Sequence, residues 1–142
     1  MQVPGPPSAE MIASAAALVS GAKCGRERVR DALVLAIGRW RDHSFPPRRE
    51  TLEDISRMSG FSLPLLDESL DALLKPFTSP ALSRFAACTR ECDGIVGFVM
   101  PGNVAGAGLH ELVISMLAGA GAIIKAGSRE PVFFWRFART LS

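Results

Sequence analysis

The sequence predicts an α/β protein, a helical N-terminal region followed by the first βαβα of an incomplete parallel sheet. Three observations carry this. Apolar residues recur at helical spacing over roughly the first ninety residues. Two short continuous apolar runs, GIVGFVM and AIIKA, then follow with a helical stretch between them. Glycines and prolines punctuate the boundaries of that second part. Strand, crossover helix, strand and helix form a right-handed βαβα unit, the building block of a doubly wound parallel sheet.

In chain order, MQVPGPPS reads as a Pro/Gly-rich leader, after which Ser8 can cap a short helix with Met11, Ile12, Ala15 and Val19 on one face. From Arg26 to Arg41, Val29, Leu33, Ala36, Ile37 and Trp40 recur at helical spacing while Arg26, Arg30 and Arg41 face outward. HSFPPRR is expected to end that pattern. Thr51 is then expected to cap LEDISRMS, with Glu53 and Asp54 in the favourable first turn and Gly60 as the stop. Ser62 opens a further helix whose stripe is Leu66, Leu70, Leu73 and Leu74, and Pro76 closes it. Ser79 and Pro80 are expected as N-cap and first position of ALSRFAAC.

The pattern changes at Gly94. GIVGFVM has the look of a strand covered on both faces, PGNVAGAG supplies a turn, and LHELVISMLAGA continues as a helix with Leu109, Leu112, Val113, Met116 and Leu117 inward. AIIKA is the second strand, and GSREP begins a last helix with Pro131 near its first turn. Two parallel strands alone are both edges, so the sheet is expected to continue in residues that are absent. The chain is thus read as a fragment, with residues 1–90 a helical region and 91–142 the start of a truncated second domain. Val132, Phe133, Phe134, Trp135 and Phe137 are expected to expose a large aromatic surface.

Composition narrows the classes. The 142 residues, 48% hydrophobic and 21% charged, allow one domain or one and a half. A formal charge of +2 is too small to argue for nucleic acid or an acidic membrane, and the basic residues clustered from Lys23 to Arg49 read as solvated helix faces. Cys24, Cys88 and Cys92 form no CxxC pair, and only His43 and His110 could help them, so neither a disulfide scaffold nor a metal site is indicated. Ala105 to Ile124 is apolar but contains His110, Glu111 and four glycines, which argues against a membrane span. MIASAAALVS lacks a basic n-region and is a poor secretory signal, so a cytoplasmic location is expected. A helix-turn-helix reading of TLEDISRMSGF and SLPLLDESLDALLKPF, with Arg48 and Arg49 touching phosphates, is opposed by Asp67, Glu68 and Asp71 on the second helix.

Gly94 to Pro131, GIVGFVMPGNVAGAGLHELVISMLAGAGAIIKAGSREP, resembles the first βαβ of the aldehyde dehydrogenase superfamily. The shared pattern is an apolar strand, Pro-x-Asn, a helix, an apolar strand ending in Lys and a Pro six residues later, here Pro101, Asn103, Lys125 and Pro131. PGN and KAGSREP, with SGFSLPLLDESLDALLKPF before the strand, look closer to the fatty acyl-CoA reductases of the bacterial bioluminescence type. The resemblance covers the second half of the chain well and the first half loosely. It implies a Rossmann-like domain and an oxidoreductase that reduces an acyl-CoA or other acyl thioester to an aldehyde through a cysteine thioester. A homo-oligomer is implied for the full-length protein. A nonacylating aldehyde dehydrogenase is the alternative within the same fold.

By the same resemblance, the Asn103 amide would donate to the substrate carbonyl oxygen as it becomes an oxyanion, a contribution of roughly 100- to 1,000-fold in rate. Without the flanking pattern, Asn103 would read as a cap or turn residue. Met100, Pro101 and Gly102 would line the nicotinamide side, and Lys125 would reach the adenosine ribose or a phosphate. Many NAD-using relatives carry a glutamate three residues after this lysine, where Ser128 stands here. A serine hydroxyl can donate to a 2′-phosphate that a carboxylate would repel, and Arg129 can neutralise it, so NADP(H) is favoured over NAD(H). The family's nucleophilic cysteine, its general-base glutamate and its pyrophosphate-holding glycine turn all lie downstream of this first βαβ. Cys88 and Cys92 precede the first strand and match nothing catalytic.

Overall fold

A computed structural model of the chain describes residues 9–10, 13–14, 25–102, 104–128 and 130–141. The leader, and Met11, Ile12, Ala15 and Val19 of the short helix expected after Ser8, lie outside them. From Arg26 onward the elements run α1 (Arg26–Arg41), α2 (Pro46–Ser59), α3 (Leu63–Leu74), α4 (Ser79–Cys88), β1 (Ile95–Val99), α5 (Leu109–Leu117), β2 (Gly121–Lys125) and α6 (Val132–Ala138). Among the described residues from Arg26 onward, the result is a mixed helix and strand fold in which four helices precede a strand, helix, strand, helix unit.

Helix α1 forms because its apolar residues fall on one stripe, and Leu33, Ala36, Ile37 and Trp40 are all buried. It packs on α3, α4 and α5, so it is the spine of the molecule. Helix α2 starts earlier than its sequence suggests. Pro46 and Pro47 occupy its first positions, where a missing amide leaves no bond unmade, so PPRR opens this helix instead of merely closing the previous one. Thr51 is therefore not a cap. It lies buried inside α2, its hydroxyl donating to the Pro47 carbonyl at 2.6 Å. In α3 the expected stripe holds, with Leu66, Leu70 and Leu74 buried and Leu73 half-buried. The cap of α4 is one residue earlier than expected: the Thr78 hydroxyl accepts from the Ala81 amide at 3.3 Å, and Ser79 is already helical.

Strands β1 and β2 pair in parallel, from Ile95 opposite Gly121 to Val99 opposite Lys125, with α5 between them as the spacing predicted. Helix α5 turns Leu109, Leu112, Val113 and Leu117 into the core. The expectation that β1 is covered on both faces is not met. Ile95, Val96 and Phe98 are half-buried, and Val99 is 77% exposed. An apolar run of strand length marks extended structure, but it does not say how many layers cover it.

The expected aromatic surface on α6 is also corrected. Phe133, Phe134 and Phe137 are buried, and only Trp135 stands largely exposed. They are covered by the helical region: Trp40 meets Phe133 edge-on at 5.1 Å between ring centroids and Phe137 at 6.0 Å. The Trp40 indole N–H donates to the Thr140 hydroxyl at 3.0 Å. Buried residues from α1 to α4 and from the βαβα unit thus form one continuous core. Among the described residues, no helix is long and apolar enough to cross a membrane.

Candidate functional site

The register of the sheet sets the site. Val99 and Lys125 are the last paired residues, and the Met100 amide donates to the Lys125 carbonyl at 2.9 Å. The two segments that leave the sheet here, Met100–Gly102 and Lys125–Ser128, therefore start side by side at the carboxyl ends of both strands. Met100 is buried. A β-carbon on Gly108 would lie 3.2 Å from the Met100 terminal methyl, and the backbone there has φ +95, so glycine at 108 both permits the turn into α5 and admits the thioether. Gly127 closes the arrangement. A β-carbon there would lie 2.6 Å from the Gly102 nitrogen and 2.9 Å from the Pro101 carbonyl carbon, so the two loops touch backbone to backbone.

Of the residues singled out in the sequence, Met100, Pro101, Gly102, Lys125 and Ser128 thus share one end of the sheet, with Pro101, Lys125 and Ser128 exposed. Asn103 and Arg129 lie outside the described residues. Val104 and Ala105, which follow position 103, wall a small apolar cleft of about 200 Å³ with Phe61, Leu65, Leu66 and Ser69.

Glu130 is a residue that sequence reasoning missed. It is 2% exposed, and its Oε1 accepts from the Phe133 amide at 2.8 Å, while Oε2 is buried with no hydrogen-bond partner. Burial pushes its carboxyl above the usual glutamate value, and the amides of Phe133, Gly106 and Val132 only partly oppose that. An acid directly before a proline that starts a helix is a recognisable N-terminal signal, and it was the available clue.

The two described thiols are elsewhere. Cys92 donates its amide to the Ala118 carbonyl at 2.8 Å, just before β1. The five-residue strand that separates it from the Met100 end is, at ~3.3 Å per residue, roughly 16 Å long. Cys88 ends α4, and both are exposed free thiols. Cys24 lies outside the described residues.

A second polar cluster binds the helices. Arg48 is fully buried, donating to the Trp40 carbonyl at 2.7 Å, to Asp67 Oδ1 at 2.6 Å and to Asp71 Oδ1 at 2.8 Å. His43 spans the same two acids, with Nδ1 3.0 Å from Asp67 Oδ2 and Nε2 3.3 Å from Asp71 Oδ2. Burial raises the Asp67 carboxyl, but the bonds and charge of Arg48, with His43, outweigh it and leave it below the usual aspartate value. His43, Asp67 and Asp71 have the residue types of a cation site. Arg48 bonds both carboxylates and offsets one of their two negative charges, so the cluster is already an ion-pair network. The reading of the basic residues as solvated faces holds for Arg28, Arg39 and Arg49, which are exposed, and is corrected for Arg26, Arg41 and Arg48. Besides Arg48, Arg26 donates to the Ala86 carbonyl at 2.9 Å and Arg41 to the Leu74 carbonyl at 2.6 Å, each tying one helix to another. Arg48 is also not free to touch a phosphate.

Compared with protein-family models, with curated proteins and with solved structures, the chain matches none.

Proposed function

We propose that this chain carries the cofactor-binding start of an NADP(H)-dependent acyl-CoA reductase. In that enzyme a Rossmann-like domain of the aldehyde dehydrogenase type reduces a fatty acyl thioester to an aldehyde through a cysteine thioester. The observation that supports it most is the meeting of Met100–Gly102 with Lys125–Ser128 at the carboxyl end of a parallel strand pair. That is where open α/β sheets bind their ligands. Lys125 supplies an exposed ammonium for the adenosine ribose or a phosphate, and Ser128 a hydroxyl that donates to a 2′-phosphate. Arg129 adds charge beside it, and Met100, Pro101 and Gly102 give a backbone wall for the nicotinamide. Asn103 donates to the oxyanion of the tetrahedral intermediate. The nucleophile and general base come from residues other than these. The apolar cleft beside Val104 favours a substrate with a hydrocarbon portion over a wholly polar one.

Titration of the isotope-labelled chain with NADPH and, separately, NADH tests this through backbone amide shifts. The expected result is that shifts concentrate at residues 100–102 and 125–128 and that NADPH binds more tightly. Lys125→Ala should weaken both nucleotides, while Ser128→Glu should reverse the preference, because its carboxylate accepts from a ribose diol and repels a 2′-phosphate. Shifts confined to α1–α4, or a preference indifferent to Ser128→Glu, would count against the reading.

A further inference from the structure

The strand pair is covered on one face and open on the other. Side chains alternate along a strand and registered partners share a face, so Phe98, Ala122 and Ile124 lie on one side, where they pack against the core. Helices α5 and α6 send their buried residues into that same core. The opposite face carries Ile95, Gly97 and Val99 of β1 and Ile123 of β2. Among the described residues, none of its three apolar side chains packs against the core, and Val99 is 77% exposed. A β-carbon on Gly97 would meet nothing within 4 Å. A parallel sheet is ordinarily covered on both faces, so this one lacks a layer.

The chain holds a segment suited to that layer. Within residues 9–20, Ala9, Glu10, Ala13 and Ser14 are described, and all four are helical and exposed. At about 100° per residue they fall on one side of a helix, while the sequence stripe Met11, Ile12, Ala15 and Val19 falls on the other. As a helix, residues 9–20 would span ~18 Å, close to the ~16 Å of β1. The point of attachment is also suitable. Arg26, the first residue of α1, donates to the Ala86 carbonyl at 2.9 Å and lies 3.7 Å from Glu91 Oε1, and Glu91 stands in the short connection that leads into β1. Ser20 to Gly25 can extend up to ~20 Å, enough chain to reach along the strand from there.

We propose that residues 9–20 dock as an amphipathic helix on the open face of the sheet, setting Met11, Ile12, Ala15 and Val19 against Ile95, Val99 and Ile123. The missing β-carbon at Gly97 and the small alanine side chains let helix and sheet approach closely. The amino end of the chain then supplies the second layer of the βαβα unit.

Methyl NOE spectroscopy on the 142-residue chain, with methionine, isoleucine and valine methyls labelled, tests this. Cross-peaks are expected from Ile12 or Val19 to Val99 or Ile123, with the Ile95 and Ile123 methyls shielded from a soluble paramagnetic agent. The double variant Ile12→Glu with Val19→Glu should lose these cross-peaks and the shielding, while amide exchange in α1 to α4 and the Trp40 indole signal stay as in wild type. Gly97→Glu, for which the described chain has room, should do the same from the sheet side. Cross-peaks from the segment to another element, or Ile95 and Ile123 open to the agent in wild type, overturn the proposal. So does a Gly97→Glu that keeps every cross-peak. Cross-peaks found only between differently labelled copies make a second copy the occupant and overturn it as well. If Gly97→Glu does not fold, the wild-type cross-peaks and the Ile12 and Val19 variant decide.

Discussion

At the scale of single residues, Glu130 makes the sharpest claim about pH. Its carboxyl is held above the ordinary value of 4.5 because burial disfavours the anion more than the neighbouring amides favour it. A group whose folded value is raised contributes stability that is fully present below the unfolded value and lost as pH rises through the folded one. Glu130→Gln keeps the acceptor for the Phe133 amide and removes the titration. Its melting temperature relative to wild type should therefore be lowest in acid and climb above pH 4.5 toward neutrality. Paired melts from pH 4 to 8 check this, and a difference independent of pH would show that Glu130 does not titrate with folding. The site was only partly legible at this scale. Met100, Lys125 and Ser128 could be placed from strand ends and turn residues, because position along a strand fixes which end a residue occupies. Glu130 could not, because whether an acid before a helix start is buried depends on packing by distant parts of the chain, which leaves no local pattern.

At the scale of elements, the joint between α1, α2 and α3 depends on Arg48. Its guanidinium satisfies the carbonyl of Trp40 at the end of α1 and two carboxylates on α3 from a fully buried position. Arg48→Ala leaves those groups facing each other without the guanidinium, with His43 their remaining partner. Because Asp67 and Asp71 keep partial contact with water, the expected loss is near the lower end for a broken buried pair, about 3 kcal/mol. Arg48→Lys should recover only part of it, since one ammonium cannot make the forked contact. Urea unfolding of the two variants measures both quantities, and a loss below that of a surface pair would reduce the network to decoration. The sign of the acid limb follows from Asp67. Its lowered value gives stability that is present above the usual 3.8 and lost as pH falls through the folded value, so Arg48→Ala should flatten that limb. Sequence periodicity placed every helix from α1 to α4 because one apolar stripe suffices to bury a helix. It misplaced the starts of α2 and α4 because prolines fit the first turn as well as they end a preceding one, and the partner that decides lies elsewhere in space.

At the scale of the whole molecule, the helical region and the βαβα unit share one core through Trp40, Phe133 and Phe137. That is why the aromatic face of α6, read from its own segment as uncovered, is buried. Long-range packing of this kind is invisible to a pattern that reads one element at a time. The same geometry separates thiol from ligand site. Cys92 sits before β1 and Cys88 at the end of α4, whereas Met100, Pro101, Gly102, Lys125 and Ser128, proposed to hold the nucleotide, gather at the far ends of the strands. Orientation and oxyanion stabilisation accelerate a thioester exchange only when a thiolate can reach the acyl carbon, and Cys92, beyond the opposite end of a strand roughly 16 Å long, leaves that covalent step undone. The 142-residue chain by itself is therefore expected to bind NADPH yet to form no acyl-enzyme and no aldehyde from acyl-CoA. Mass spectrometry after incubation with a long-chain acyl-CoA should show no stable acyl adduct at the Met100 end, and NADPH absorbance should not decay above the rate without protein. Turnover that disappears in Cys24→Ser, Cys88→Ser or Cys92→Ser would mean that one of these thiols does reach the site, and the division of labour argued from the strand ends would then have to be abandoned.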